Sequence, residues 1–370
     1  MISYTNIFPP YWGGATRIYN LTKILASENK IWLLCNDYHF LRTADSNCKE
    51  FKELSSHPNV KLIFSKFLAP STQIINPMVI VEGLKIIKNE RTDFMIANSL
   101  YSAFNTMFLS FITGVPFILD EHNVEFLRHE KMYKDRWLHR KILKIYEKLA
   151  CKFSLKIFCV SETDRNLLVS KIGIKENKII VIPNGVDTKK FYPNEKKAIE
   201  LRKRLDLNEK PLILFFGKLD YKPNYEAIKI IRSEILPRVL KKIPEAKFVI
   251  VGDKPPLECN HENILFTGLV ENIEDFINLS DIVICPLLSG GGTRLKILEA
   301  LCCGKIVIST TIGAEGIMLN EFKDSLLISD DWNTFSDKIV LSLSTKNASK
   351  IGDFYSLSWR KSADEIKKVI

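Results

Sequence analysis

The run Ile282-Val283-Ile284-Cys285-Pro286, continued by Ser289-Gly290-Gly291-Gly292-Thr293-Arg294-Leu295-Lys296-Ile297-Leu298-Glu299-Ala300-Leu301 and Gly304, decides the fold. It reads as a buried strand, a glycine-rich loop, a helix, a glycine stop and then a new strand from Ile306 to Ser309. Strand, loop, helix and strand in that order form the repeating unit of a parallel sheet wrapped by helices. Three glycines let the backbone turn tightly and come close to a ligand, and the unpaired N–H groups of the first helical turn attract an anion such as phosphate. Neither the Gly-Lys-Ser/Thr of a Walker loop nor a G-x-G-x-x-G fingerprint is present, which argues against a P-loop ATPase and against a nicotinamide-dependent dehydrogenase. Arg294 and Lys296 add positive charge, and Glu299 lies one to two turns into the helix, where a carboxylate can accept hydrogen bonds from a ribose diol.

The same alternation runs through the whole chain. Strand candidates in the first half are Ile2 to Asn6, Ile31 to Cys35, Val60 to Ser65, Phe94 to Asn98, Pro116 to Asp120, Ile157 to Val160 and Ile179 to Ile182. A second series comprises Leu212 to Phe216, Phe248 to Val251, Ile264 to Thr267, Ile282 to Pro286, Ile306 to Ser309 and Leu326 to Ile328. Turn residues cluster between them at Pro183-Asn184-Gly185-Val186-Asp187, and a charged stretch follows through Pro193 to Lys197, so the linker falls there. A chain of 370 residues suits two domains. The expected fold class is therefore α/β, with two doubly wound halves and ligands bound beyond the carboxyl ends of their strands, in the cleft between the halves.

With 46% hydrophobic and 26% charged residues, and only 16 Gly and 15 Pro, disorder and collagen-like repeats are excluded. The eight cysteines form no C-x-x-C pair, several sit in apolar runs, and adjacent Cys302 and Cys303 have no further ligand at metal-binding spacing. They read as reduced core thiols of a cytosolic protein. Met1 leads straight into the first strand without a basic, apolar leader, so no secretory signal is expected. Asn98 to Leu119, the longest uncharged segment, is broken by Gly114-Val115-Pro116 and reads as a helix followed by a strand rather than a membrane span.

Charge is distributed unevenly. Residues 1–190 hold 27 Lys+Arg against 18 Asp+Glu, whereas the remainder is nearly balanced. Ten basic residues lie between Arg128 and Lys156, interleaved with Trp137, Leu138, Ile142, Leu143, Ile145, Tyr146 and Leu149. That is a basic amphipathic pattern, open to two readings: a helix that meets an anionic membrane surface through residues 128–156, or a solvated face over a core stripe. No nucleic-acid-binding module accompanies the charge, and no nucleic-acid partner is expected.

Three further clusters sit where strands end. Phe8-Pro9-Pro10-Tyr11-Trp12-Gly13-Gly14-Ala15 follows the first strand, and its two glycines permit close backbone approach. Asp120-Glu121-His122-Asn123 ends a buried strand with polar groups, which at a central strand's carboxyl end bind or react more often than they stabilise. Gly217-Lys218-Leu219-Asp220-Tyr221-Lys222-Pro223-Asn224 places two lysines after a strand, able to neutralise the charge of a leaving phosphate.

Taken together, these residues resemble the retaining glycosyltransferases of family 4, with the GT-B architecture of two facing Rossmann-like domains. The resemblance spans nearly the whole chain. It rests on Gly13-Gly14, Asp120 to Asn123, Val160-Ser161-Glu162, Ile182 to Asp187 with Phe191, Gly217-Lys218 and Glu299-Ala300-Leu301. It implies an N-terminal acceptor domain over 1–188, a nucleotide-sugar domain over 189–350, and a tail helix over 351–370, with Trp359, that crosses back to the first domain. It also implies that Gly14 approaches the donor diphosphate, His122 contacts the transferred sugar, Lys218 and Lys222 bind the diphosphate, and Glu299 holds the ribose. Gly13, Asn123, Gly217, Gly291, Gly292, Thr293, Arg294 and Leu295 complete the implied donor site.

Two departures from the family pattern stand out. The family's glutamate eight positions before the ribose glutamate is Gly291 here, and Lys218 and Lys222 are four apart where the family's basic pair is five apart. The expected activity is hexosyl transfer from a UDP- or GDP-linked sugar to a hydroxyl of a cell-surface polysaccharide or lipid-linked oligosaccharide, in the cytoplasm, with peripheral contact at the inner face of the plasma membrane as one of the two readings of the basic segment. The chain has no Asp-x-Asp pair, so neither a metal nor a cofactor is expected. The missing glutamate keeps a catalytically silent nucleotide-sugar-binding scaffold as the alternative.

Overall fold

The computed structural model describes residues 1–37, 45–66, 75–132, 137–291, 293–317, 322–345 and 356–369. The chain forms two compact units, Met1–Asn184 together with Trp359–Ile370, and Gly185–Ser358. Residues 351–355 of the expected tail segment lie outside the described residues.

All thirteen expected strands form. In the first unit they are β1 (Ile2–Ser3), β2 (Ile31–Asp37), β3 (Val60–Lys66), β4 (Met95–Asn98), β5 (Phe117–Glu121), β6 (Lys156–Cys159) and β7 (Ile179–Val181). They make one sheet in the order β3-β2-β1-β4-β5-β6-β7, every pairing parallel. The second unit carries β8 (Leu212–Phe216), β9 (Lys247–Val251), β10 (Ile264–Gly268), β11 (Ile282–Cys285), β12 (Ile306–Ser309) and β13 (Leu326–Ile328). Their order is β10-β9-β8-β11-β12-β13, again all parallel. Strands such as β5, β8, β11 and β12 are buried at every residue, as a parallel sheet covered by helices on both faces requires.

β1 is shorter than its apolar run suggests. Ser3 Oγ donates to the Thr5 carbonyl at 2.8 Å, and Asn6 Oδ1 accepts from the Phe8 N–H at 3.0 Å. These local bonds turn the chain out of the sheet after two strand residues.

Both sheets reverse their winding direction once, between β1 and β4 in the first unit and between β8 and β11 in the second. At such a point the connections leave in opposite directions, and the loops after the two strands open a crevice at their carboxyl ends. The four clusters quoted above follow β1, β5, β8 and β11, so each unit gathers its polar groups at or beside this reversal.

The suspected span resolves into a helix, Leu100–Thr113, and β5. Among the described residues no helix is long and apolar enough to cross a membrane. The basic segment forms two helices, Glu125–Met132 and Trp137–Phe153. The second buries Leu143, Glu147, Ala150 and Cys151, while Trp137, Leu138, Ile142, Ile145, Leu149 and Phe153 are exposed. Most of its large apolar side chains therefore do not form a core stripe: they face outward alongside exposed Lys141, Lys144, Lys148 and Lys152.

The inward face of that helix carries an unusual load. Glu147 is fully buried and accepts the backbone N–H groups of Glu125 (2.8 Å) and Phe126 (3.0 Å), which satisfies the start of the helix Glu125–Met132. Glu121, at the end of β5, is also buried, and neither of its carboxylate oxygens has a hydrogen-bond partner. Burial, reinforced by the negative potential of Glu147 and Glu125, pushes the Glu121 carboxyl well above the ordinary range. A folded-state pKa raised above the unfolded value contributes stability that is complete below about pH 4.5 and is lost progressively as the pH rises towards the folded value. Glu121→Gln should therefore match the wild type in thermal stability below about pH 4.5 and exceed it increasingly as the pH rises from there. Parallel melting curves across that range, with no gain at alkaline pH, would show that Glu121 is not held protonated.

Candidate functional site

In the first unit the helix Gly13–Leu25 begins with the two glycines and places Arg17 one turn in, where it is fully buried. Its guanidinium grips Asp120 at the end of β5, with Nη2 to Oδ1 at 2.8 Å and Nε to Oδ2 at 2.9 Å. The remaining arm, Nη1, donates to the Ile182 carbonyl at 2.9 Å and to Asn184 Oδ1 at 3.0 Å. Burial alone would raise the Asp120 pKa, but Arg17 and the bond from His122 outweigh it and hold the carboxyl well below the usual range.

An ionised carboxylate only accepts, so His122 Nε2, 3.1 Å from Asp120 Oδ2, must carry the proton it donates. The other ring nitrogen, Nδ1, then faces the glycine loop: it would lie 2.8 Å from a Cβ placed on Gly14, and the Trp12 ring would clash with that Cβ outright. Only glycine lets the loop pass this close to the imidazole. Asn123 is turned elsewhere, its Nδ2 donating to Glu125 Oε1 at 3.2 Å.

In the second unit Gly217 directly follows β8, and its φ of 148° lies in the region that favours glycine. Lys218 and Lys222, expected as the diphosphate pair, are both largely exposed, 3.7 Å from Asp220 and 3.9 Å from Glu226 respectively. Asn224, by contrast, is buried. Its Nδ2 donates to the Lys218 carbonyl at 2.8 Å, which turns its Oδ1 towards Lys296 Nζ at 3.0 Å. Lys296 reaches this point from the helix Leu295–Cys302, the helix that follows the triple-glycine loop of β11.

Glu299 stands one turn further along the same helix. It is half-buried, and its pKa is pushed up to about 7 by burial, partly countered by Lys190 and Lys296. Arg294 caps the start of the helix and folds back, Nη1 donating to the Gly291 carbonyl. Gly291 stands at the sequence position where the family pattern has a glutamate. Thr293 Oγ1 is buried without a hydrogen-bond partner and Leu295 is half-buried, while Gly292 lies outside the described residues.

The expected residues thus gather in two places, one per unit: Gly13, Gly14 and His122 at β1 and β5, and Gly217, Lys218, Gly291, Thr293, Arg294 and Glu299 at β8 and β11. Arg17 belongs with them but did not stand out in the sequence, while Lys296 and Asn224 were quoted there only as added positive charge and as the end of a cluster. The available signal was the spacing of Lys296 and Glu299, three apart and so on one helix face. Among the described residues no three His, Cys, Asp or Glu side chains form a group able to hold a metal ion.

Residues 12–190 match the family model described as Glycosyltransferase Family 4, and residues 210–345 match that of Glycosyl transferases group 1. The chain is 28% identical over 347 residues to the UDP-Gal:alpha-D-GlcNAc-diphosphoundecaprenol alpha-1,3-galactosyltransferase of Escherichia coli, covering 86% of each chain. It is 23% identical to the O-antigen biosynthesis glycosyltransferase WbnH of Escherichia coli, covering 89% of this chain and 90% of the relative. Its fold is that of Anabaena HepE, solved in complex with UDP and glucose, with a TM-score of 0.73 at 15% identity over 100% of this chain and 98% of the other.

Removing Arg17 would strand the buried Asp120 charge, a change that typically costs about 3–5 kcal/mol. Arg17→Leu should lose stability of that order in denaturant titrations, and adding Asp120→Asn should recover part of it. A loss below about 1 kcal/mol would mean that the pair is replaceable by solvent.

Proposed function

The chain belongs to the family 4, group 1 glycosyltransferases, and on that premise we propose that it moves a hexose from a UDP- or GDP-linked sugar to a hydroxyl of a polysaccharide or lipid-linked oligosaccharide, with retention at the anomeric carbon. The observation that carries the donor assignment is the single helix Leu295–Cys302, which brings a half-buried carboxylate, Glu299, and a cation, Lys296, to the winding reversal of the second sheet. A carboxylate of this kind accepts the two hydroxyls of a ribose, and cations with bare backbone N–H groups meet a diphosphate. The names of two relatives support the chemistry: a galactosyltransferase that uses UDP-Gal and a lipid-linked acceptor, and a fold relative holding UDP and glucose.

In this reading Gly13 and Gly14 let the donor approach the first helix, and His122, fixed by Asp120 and Arg17, offers Nδ1 to a hydroxyl of the transferred sugar. Lys218, Lys222 and Arg294 offset the charge that develops on the leaving diphosphate, whose oxygen helps deprotonate the acceptor in a front-face displacement. No enzyme nucleophile is invoked, and the negative charge is met without a metal.

Glu299→Ala should weaken UDP or GDP binding by about 1.5–3 kcal/mol in calorimetry while the fold is kept. Unchanged affinity for both nucleotides would remove Glu299 from the site. His122→Ala should abolish transfer, or slow hydrolysis of the donor, with nucleotide affinity intact, and wild-type turnover should survive EDTA. A wild type that binds the donor but neither transfers nor hydrolyses it is instead a silent scaffold, and turnover restored only by Mg or Mn would end the metal-free reading.

The outward stripe of the helix Trp137–Phe153 suits a lipid-linked acceptor. Leu138, Ile142, Ile145, Leu149 and Phe153 follow helical spacing and are exposed, with Lys141, Lys144, Lys148 and Lys152 beside them. The adjoining helix Leu100–Thr113 adds exposed Phe108 and Phe111. Apolar side chains that enter the headgroup layer, together with about 1 kcal/mol for each lysine near an anionic surface, would hold the enzyme reversibly at the inner face of the plasma membrane. Vesicles of phosphatidylglycerol should pellet the wild type at low salt and release it at high salt, and changing Lys141, Lys144, Lys148 and Lys152 to Gln should leave it in the supernatant. Equal pelleting of wild type and variant would exclude this surface.

A further inference from the structure

Lys296 is a half-buried lysine beside the core of the second unit. Its ammonium is buried against the Phe215 ring, 4.5 Å from the centroid, and its one hydrogen bond to a side chain goes to neutral Asn224. No ion pair is formed with any described carboxylate. A half-buried ammonium whose side-chain partner is a neutral amide is costly, and Glu299, three residues on and not in ion-pair contact, offsets that cost only in part. The ammonium is also placed beside bare backbone: Nζ would lie 3.0 Å from a Cβ on Gly217, at the end of β8. The amide that orients it is itself anchored to the Lys218 carbonyl, so the lysine is aimed rather than loosely packed.

We propose that Lys296 is the cation that receives the donor's diphosphate at the end of β8, and that it completes its charge by taking up a proton as the nucleotide binds. The proposal rests on the donor reading given above and assigns to that site a residue and a proton linkage.

The surroundings set the direction. Burial lowers the Lys296 pKa to about 8, helped by Arg294, which precedes the same helix, and opposed by Cys285 at the end of β11 and by Glu299 along the helix. The other elements packed on the ammonium, β8 and the helix Lys222–Ile230, contribute the Phe215 and Phe216 rings and the Asn224 amide, none of which ionises. In the empty site a large share of Lys296 is therefore neutral above pH 8, and an incoming dianion restores the charged form. Linkage then requires that the Lys296 contribution to nucleotide affinity fall as the pH rises through about 8, by roughly tenfold between pH 7 and pH 9. Glu299, pushed up to about 7, has the opposite sign, since it must lose its proton to accept from a ribose, and it offsets about twofold of that fall near pH 7 while adding almost nothing at pH 8.5.

The test is titration calorimetry of the full chain with UDP and GDP at about pH 8.5, in two buffers that differ in ionisation enthalpy. The second ionisation of a phosphate lies near pH 6, so the nucleotide is already fully charged there. The wild type should take up roughly 0.7 proton per nucleotide bound, as a group with the free-site value of about 8 requires. Lys296→Met should take up none, bind about tenfold or more weakly at pH 7 and lose the fall in affinity from pH 7 to 9, keeping only the small rise that Glu299 contributes. Lys296→Arg, permanently charged, should likewise bind without uptake and without that fall. A melting temperature for Lys296→Met at or above wild type confirms that the loss is not one of folding. Proton uptake that persists in Lys296→Met, or wild-type binding with no uptake, overturns the proposal and leaves the donor reading standing. Failure of the wild type to bind either nucleotide overturns the donor reading, and this proposal with it.

Discussion

A parallel sheet that is covered on both faces can place chemistry only at its strand ends, and that constraint governs both halves of this chain. Every residue of β5, β8, β11 and β12 is buried, so no side chain in mid-strand meets a ligand. The polar groups that end these strands are therefore held by neighbours rather than by solvent. In the first unit one guanidinium does most of this holding: Arg17 ties the end of β5 to the backbone at Ile182 and the side chain of Asn184, and through Asp120 it sets the proton position on His122. In the second unit Asn224 has the analogous role, linking the β8 loop to the helix after β11.

The fold was legible because its signal is local. Runs such as Leu212 to Phe216 and Ile306 to Ser309 are short, aliphatic and bounded by turn residues, and the strands occupy those residues. Glycines and the strand-end cluster at Asp120 were legible for the same reason, since backbone permissiveness and polarity next to a buried strand are visible in single stretches. Arg17 was not, because its significance is a contact with a residue 103 positions away, and nothing in a helix-forming Thr-Arg-Ile reveals burial. The orientation of the helix Trp137–Phe153 was equally hidden: periodicity gives the two faces of a helix but not which one is covered, and here the covered face carries Glu147 and the small residues Ala150 and Cys151. Of the lysines that the sequence offered, Lys218 and Lys222 are exposed, whereas the half-buried one, Lys296, comes from a different strand-loop-helix unit altogether.

Lys296 and Glu299 sit one turn apart with their protonation equilibria displaced towards each other, the acid upward to about 7 and the base downward to about 8. Desolvation causes both shifts. Two groups displaced in this way carry less charge near neutral pH than their free forms would. In the first unit burial likewise disfavours the charged forms of Glu121 and Glu147.

The helix Trp359–Lys367 belongs to the first unit although 174 residues of the second unit, Gly185–Ser358, separate it from Asn184. It buries Trp359, Ala363 and Ile366, donates from Ser362 Oγ to the Pro183 carbonyl at 2.6 Å, and pairs Lys367 with Glu28. During synthesis the first seven-stranded sheet must therefore wait for its last covering helix. At ribosomal rates of about 5–20 residues per second the delay is roughly 10–35 s, during which the surface of Gly13–Leu25 that this helix covers stays open. The second unit, contiguous in the chain, can close its own core in that interval, so the half that begins first is the half that finishes last.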